Sequence, residues 1–292
     1  MARHSLLLAL GALATAAVAC APASEPATQA SPSTPAGSSA PAACAKDTLA
    51  LKTAGKLTIG TDKPAYEPWF KNDDPANGEG FESAVAYAVA TELGFTKDEV
   101  VWQTVPFDAA FAPGAKKFDF DVNQVSITGD RAKVVDFSQG YYTVKQAVVA
   151  VEGSEFASAK DLAGLKEARI GVQVGTTSLD AVKEVIQPTA EPKVYSQQVD
   201  AVNALKNKQV DAIVVDLPTA FYVTAAQVEN SKIVGQFNAS GGTPEEFGMV
   251  FEKGSRLVSC VDEALGKLKS SGKLAEIESQ WLGSAAGAPE LK

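Results

Sequence analysis

The sequence predicts an α/β fold of two lobes facing one cleft, and three observations carry that expectation. Apolar strand-like runs alternate with helical periodicity from about residue 57 to residue 282, as packed layers of strand and helix require. Segments 115–122 (AKKFDFDV) and 207–214 (NKQVDAIV) share one layout, a polar or basic turn and then a buried strand, which reads as one unit used twice. Polar side chains follow both strands, at residues 123–126 and at Asp216. In open parallel sheets ligands bind just beyond the carboxyl ends of strands, so the two units point at one site.

Residues 1–19 read as a signal peptide. Arg3 and His4 make a short basic start, and residues 6–18 an apolar run shorter than the ~20 residues of a spanning helix. The small residues Ala17, Val18 and Ala19 then stand before Cys20. That run resembles a bacterial lipobox, which implies a lipid on Cys20 and attachment to the outer face of the cell membrane; secretion with full release is the alternative. Residues 20–43 are almost wholly Ala, Pro, Ser and Thr after Cys20 and read as a disordered tether. With Cys20 lipidated, Cys44 and Cys260 remain, and an oxidising compartment favours a disulfide between them over two separate buried thiols.

The folded part divides into a first lobe over residues 44–148, a second over 149–246 and a return to the first over 247–283, with a small-residue tail at 284–292. Residues 57–60 form a strand, and 82–93 a helix closed by Gly94 in the position of a C-terminal cap. Residues 100–105 form the next strand, and Phe107 opens a short helix ended by Pro113 and Gly114. The runs 146–151 and 247–251 are expected to cross between lobes. Residues 258–268 and 274–282 are helices returning to the first lobe.

Composition removes several function classes. The net charge is −9 with no basic stripe, which argues against nucleic acid as a partner. The only histidine is His4, inside the signal, so a Ser-His-Asp triad, a Cys-His pair and a His-based metal site are all excluded from the mature chain. No cofactor is expected.

Four places carry chemistry. Ser126, Thr128 and Arg131 can clamp a carboxylate, because a guanidinium grips it with two donors and hydroxyls complete its lone pairs; the alternative is Arg131 paired with Asp136. Gln173, Gly175, Thr176 and Thr177 lead from a strand into a helix start, where free N–H groups favour an anion, or where an ordinary cap sits. Asp216, before Leu217 and Pro218, can meet an ammonium or cap a helix. Tyr66, Trp69 and Phe107 with Asp62 offer aromatic walls and an acid, or else core packing. An anion grip in each lobe, an acid for an ammonium and aromatic walls outline an α-amino acid.

At these residues the chain resembles the polar amino-acid-binding family of ABC-importer solute receptors. The marks are the run at 57–62, Tyr66 to Trp69, Gly80-Phe81-Glu82, Ser126 with Arg131, Val135 to Ser138 with Tyr141 and Tyr142, Gly175-Thr176-Thr177, and Asp216 with the closing Gln280-Trp281-Leu282-Gly283. The resemblance implies a Venus-flytrap fold of the type II periplasmic binding protein kind, acting as a monomer outside the cytoplasm and delivering a free amino acid to a membrane permease. It implies that Arg131, Ser126 and the Thr176–Thr177 loop bind the α-carboxylate and Asp216 the α-ammonium. Tyr66 and Phe107 sandwich the side chain, with Asp62 and Gln173 reading its polar end. Without a further cation at these positions, an amide side chain is favoured first and a cationic one second: glutamine, lysine or arginine. The competing expectations are an enzyme resembling cyclohexadienyl dehydratase on the same scaffold, and a ligand-sensing lipoprotein.

Overall fold

The computed structural model describes residues 44–239, 244–283 and 287–292, so the expectations for the signal peptide, Cys20 and the tether lie outside the described residues. The first lobe begins with β1 (Leu57–Thr61), α1 (Phe81–Glu92), β2 (Val100–Thr104), the short α2 (Phe107–Ala110), β3 (Phe120–Asp121) and β4 (Val135–Phe137). The chain then leaves through β5 (Tyr142–Val144). It builds the second lobe from β6 (Gln146–Val151), β7 (Ile170–Gln173), α3 (Thr177–Ala181), β8 (Lys193–Tyr195), α4 (Gln198–Lys206), β9 (Ala212–Asp216), α5 (Leu217–Tyr222) and β10 (Ser231–Phe237). It returns through β11 (Glu245–Phe247) to β12 (Val250–Glu252), α6 (Val258–Ser270) and α7 (Lys273–Leu282).

Each lobe has its own mixed sheet. In the first, β1 lies parallel between β2 and β3, and β12 runs antiparallel between β3 and β4. Helices α1, α6 and α7 bury Phe81, Val85, Val89, Val261, Leu265 and Ile277 in one core beside β1. Why α1 starts where it does is local. Gly80 sits at φ 95°, and a Cβ there would stand 2.5 Å from the Trp69 carbonyl oxygen. The first N–H groups of α1, from Phe81 and Glu82, donate instead to the carbonyls of Pro68 and Trp69 at 3.1 and 2.9 Å. Gly94, at φ 86°, ends the helix as expected, with its N–H and that of Phe95 closing onto Thr91 and Ala90 at 2.9 Å. Cys44 and Cys260 are disulfide-bonded with Cα atoms 5.3 Å apart, tying the start of the fold to α6 as the cysteine count suggested.

The second sheet has the order β10-β6-β9-β7-β8. Its central strands are buried on both faces: Val148, Ala212 and Val214 pack on one side, Val149, Ile213 and Val215 on the other. Burial on both faces is why these strands read as unbroken apolar runs.

That same property misplaces the crossings. The run 146–151, expected to cross between lobes, is β6, paired antiparallel with both β9 and β10 inside the second sheet. The run 247–251 straddles the end of β11 and the start of β12. The lobes are joined instead by the antiparallel ribbon of β5 and β11, with Val144 opposite Glu245 and Tyr142 opposite Phe247. The second sheet therefore begins at Gln146, ahead of the expected boundary at 148/149. An apolar run reports burial, and a central strand is buried more completely than a connecting ribbon.

The tail also departs from expectation. Residues 287–292 lie along β10, where Gln236 bridges to Glu290, accepts from the Leu291 N–H at 2.9 Å and donates to the Pro289 carbonyl at 2.8 Å. Leu291 is 4% exposed and sits in the second lobe's core. A Cβ on Gly235 would meet the Pro289 oxygen and Leu291 Cγ at 2.6 Å, so glycine there admits the tail.

Candidate functional site

The carboxyl ends of β1 and β3 in one lobe and of β7 and β9 in the other face one cavity. Asp62, Tyr66, Phe107, Ser126, Arg131, Gln173, Thr176, Thr177 and Asp216 all line it. Trp69 does not. It is wholly buried, edge-on to Phe81, Tyr142 and Phe247, and its Nε1 donates to Thr219 Oγ1 at 2.9 Å. An indole with its N–H satisfied inside an aromatic cluster is core, so the expectation of Trp69 as a cavity wall is corrected.

Arg131 follows the loop that leaves β3, on a single turn over Arg131–Lys133. Its Nη1 donates to the Ser126 carbonyl at 2.7 Å and its Nη2 to the Gly175 carbonyl at 2.9 Å, one acceptor from each lobe. The guanidinium carbon lies 4.3 Å from the centre of the Phe111 ring and 5.7 Å from that of Phe107. A guanidinium has five N–H donors, so others remain for a ligand. Burial lowers its pKa, against which Glu245, Asp180 and Asp216 act, and an arginine so placed stays charged. Asp136 takes no part: it pairs with Lys253 at 2.8 Å. Thr128 Oγ1 accepts from the Arg131 N–H at 3.2 Å, so it supports the loop, while Ser126 Oγ lies 3.4 Å from Thr177 Oγ1 across the cleft.

From the opposite lobe, Gly175 turns the chain at φ 73° between β7 and α3. Thr176 is a true N-cap: its hydroxyl accepts from the Leu179 N–H at 3.1 Å and donates to the Gln173 carbonyl at 2.8 Å. The first N–H groups of a helix have no acceptor within it, and Thr177 and Ser178, which carry them here, line the cavity. Asp216 stands at the N-cap position of α5 but makes no capping bond. Its Oδ1 accepts from Gln146 Nε2 at 2.8 Å, and the same amide holds Glu245 at 2.9 Å and Ser178 Oγ at 2.5 Å. Burial and the Glu245 charge push the Asp216 pKa up to about 7. A ligand ammonium there would replace a costly buried charge with a pair.

Asp62 and Tyr66 form the remaining wall. Burial raises the Asp62 pKa, although the Lys63 N–H donates to its Oδ1 at 2.7 Å. Burial also pushes Tyr66 up to about 12, with the backbone of Val199 in the second lobe acting against that rise. The lobes are thus closed on the cavity, latched by Arg131 on the Gly175 carbonyl and by Trp69 on Thr219. Asn123, Gln124, Ser178 and Gln198 also line it, and none of them was named from sequence as a ligand-binding residue. Asn123 and Gln124 fall in the polar run beyond β3 that marked the ligand end, whereas Gln198 opens α4 with no motif of its own. Among the described residues no group of acids, cysteines or histidines is arranged to hold a metal ion.

Comparison with known proteins agrees with this geometry. Residues 57–284 match the bacterial extracellular solute-binding proteins, family 3. The ABC transporter glutamine-binding protein GlnH of Bacillus subtilis is 28% identical over 241 residues, covering 81% of this chain and 85% of that protein. The arginine-, lysine-, histidine-binding protein ArtJ of Geobacillus stearothermophilus superposes with a TM-score of 0.67 at 28% identity, covering 78% of this chain and 95% of that one. An ancestral arginine-binding protein bound to arginine gives 0.66 at 34% identity, covering 78% and 99%. The fold is that of these two-lobed receptors, and the role is binding rather than catalysis. This chain belongs to family 3 of the bacterial extracellular solute-binding proteins.

Proposed function

We propose that the protein captures a free α-amino acid with a cationic side chain, arginine or lysine, in the closed cleft and delivers it to the permease of an ABC importer. The observation that carries this reading is the charge set of one cavity: one cation, Arg131, against two acids, Asp62 and Asp216. A zwitterion neutralises Arg131 and Asp216 and leaves Asp62 over. A cationic side chain satisfies that acid, and an amide can only hydrogen-bond to it, which reverses the order expected from sequence. The glutamine- and arginine-binding relatives support the class, and glutamine remains second. In this reading Arg131, Ser126 and the first N–H groups of α3 take the carboxylate, Asp216 the ammonium, and Tyr66 and Phe107 flank the chain that ends at Asp62, Gln173 and Gln198. The protein works outside the cytoplasm as a monomer. The run before Cys20 supports a lipid anchor on that residue, which would keep the receptor beside its permease; full release is the other outcome.

The test is a thermal-shift screen of ligand-stripped protein against the twenty amino acids. L-Arginine and L-lysine should raise the midpoint most and L-glutamine less. A midpoint unmoved by every amino acid overturns the reading. Radiolabelled palmitate incorporated by the wild type but not by Cys20→Ala checks the anchor.

A further inference from the structure

Glu82, the second residue of α1, is wholly buried beneath the cavity, and its carboxylate receives three donors. Oε1 accepts from the Gln124 backbone N–H at 2.7 Å and from the Tyr141 hydroxyl, and Oε2 accepts from Gln124 Nε2. Gln124 lines the cavity and holds φ at 50°, a left-handed conformation uncommon for a residue with a side chain. Its side-chain Oε1 has no protein partner among the described residues. An ionised carboxylate can only accept, so the amide must turn its NH₂ toward Glu82 and leave its carbonyl oxygen on the other side.

We propose that Glu82 is a positioning residue that sets which end of the Gln124 amide the cleft offers, a carbonyl acceptor suited to a ligand rich in N–H donors. The inference rests on the amino-acid reading of the cleft and deepens it. Glutamine at position 82 would reverse the arrangement. Its oxygen must face the Gln124 N–H, which can only donate, so its NH₂ faces the Gln124 side chain and turns that amide over. The cavity then meets an NH₂ where it had met an oxygen. Tyr141 beside Glu82, with Asp121 of β3 and Asp216 of β9 acting through their charges, are the titratable groups that face it. Burial pushes Glu82 up to about 7 and its three donors act against that rise, so the ionised form predominates at pH 8.

At pH 8, Glu82→Gln should weaken L-arginine binding about tenfold, the worth of one buried hydrogen bond to a charged or polar donor. Gln124→Met should lose about as much, and the double variant no more than either, since both remove one acceptor. Full additivity of the two losses, or unchanged affinity in Glu82→Gln, overturns the proposal. A second measurement needs no ligand. In ligand-free wild-type protein the NMR signals of the Gln124 side-chain NH₂, identified by their loss in Gln124→Met, should exchange slowly with water, and in Glu82→Gln quickly. Rapid exchange in the wild type overturns the proposal even where Glu82→Gln fails to fold. If L-arginine does not bind the wild type, the amino-acid reading fails, and the exchange rates still decide the orientation of Gln124.

Discussion

The two halves of the cleft present charge by different physics. The first lobe supplies a full charge, Arg131, buried against two aromatic rings and tied by carbonyls from both lobes. What the second lobe offers an anion is a helix start, partial charge only, whose cap hydroxyl is already engaged with backbone. Its one ionisable group lining the cavity is Asp216, held by the neutral amide of Gln146 and raised by burial to titrate near 7. A buried ion held by carbonyls is expensive to leave unpaired, whereas a helix start needs no counter-ion. The first lobe's half should therefore be brittle to mutation and the second lobe's half graded.

The largest effect is expected at Arg131. Arg131→Ala should lower L-arginine affinity at least about 100-fold, near 3 kcal/mol, because a desolvated carboxylate loses its only cation. Calorimetry giving a loss equal to that from changing the helix start would erase the contrast between halves. Next is Asp216→Asn, with a loss of about 2–3 kcal/mol and a change of pH profile. Asp216 titrates near 7, and an ammonium pairs with its ionised form. Protons compete with the ligand below that value, so wild-type affinity should rise from pH 5 to pH 7.5 and level off. The slope should be much flatter in Asp216→Asn; Glu82, also near 7, accounts for what remains. An unchanged slope would mean that another group takes the ammonium.

A smaller effect separates stability from binding within the second lobe. Leu291→Ala should destabilise the protein by about 2 kcal/mol in urea unfolding, through the cavity left under the tail, while affinity stays within twofold. Altered affinity would mean that the tail communicates with the cleft. The smallest is Thr176→Ala, about 1 kcal/mol of lost helix capping. Titration should show a correspondingly modest weakening of L-arginine, and a hundredfold loss would place the second lobe's grip on a par with Arg131.

How far each half could be read in advance follows from the same contrast. Arg131, Ser126 and Asp216 stand at strand ends in polar runs that interrupt apolar ones, and such interruptions are visible in one dimension. Thr176 and Gly175 carry a helix-start pattern. Gln146 was invisible as a site residue because it opens an apolar run, and only the pairing of β6 with β9 sets it against Asp216. Trp69 misled because an aromatic residue in a cleft motif looks the same whether its ring faces the ligand or the Phe81 and Phe247 rings. Glu82 was legible as part of a motif but not as a support, since its partners lie 42 and 59 positions away.

By itself the sequence carried the two-lobe α/β class, the candidate residues of the cleft and, as the favoured of two readings, the pairing of Cys44 with Cys260, because each follows from residue type, order or number. The tertiary structure alone decided which strands cross between lobes, which aromatic faces the cavity, and that residues 287–292 pack along the β10 edge of the second sheet. Those outcomes depend on which of several apolar surfaces meet. Burial is a property of the packed pair, and no single segment carries it.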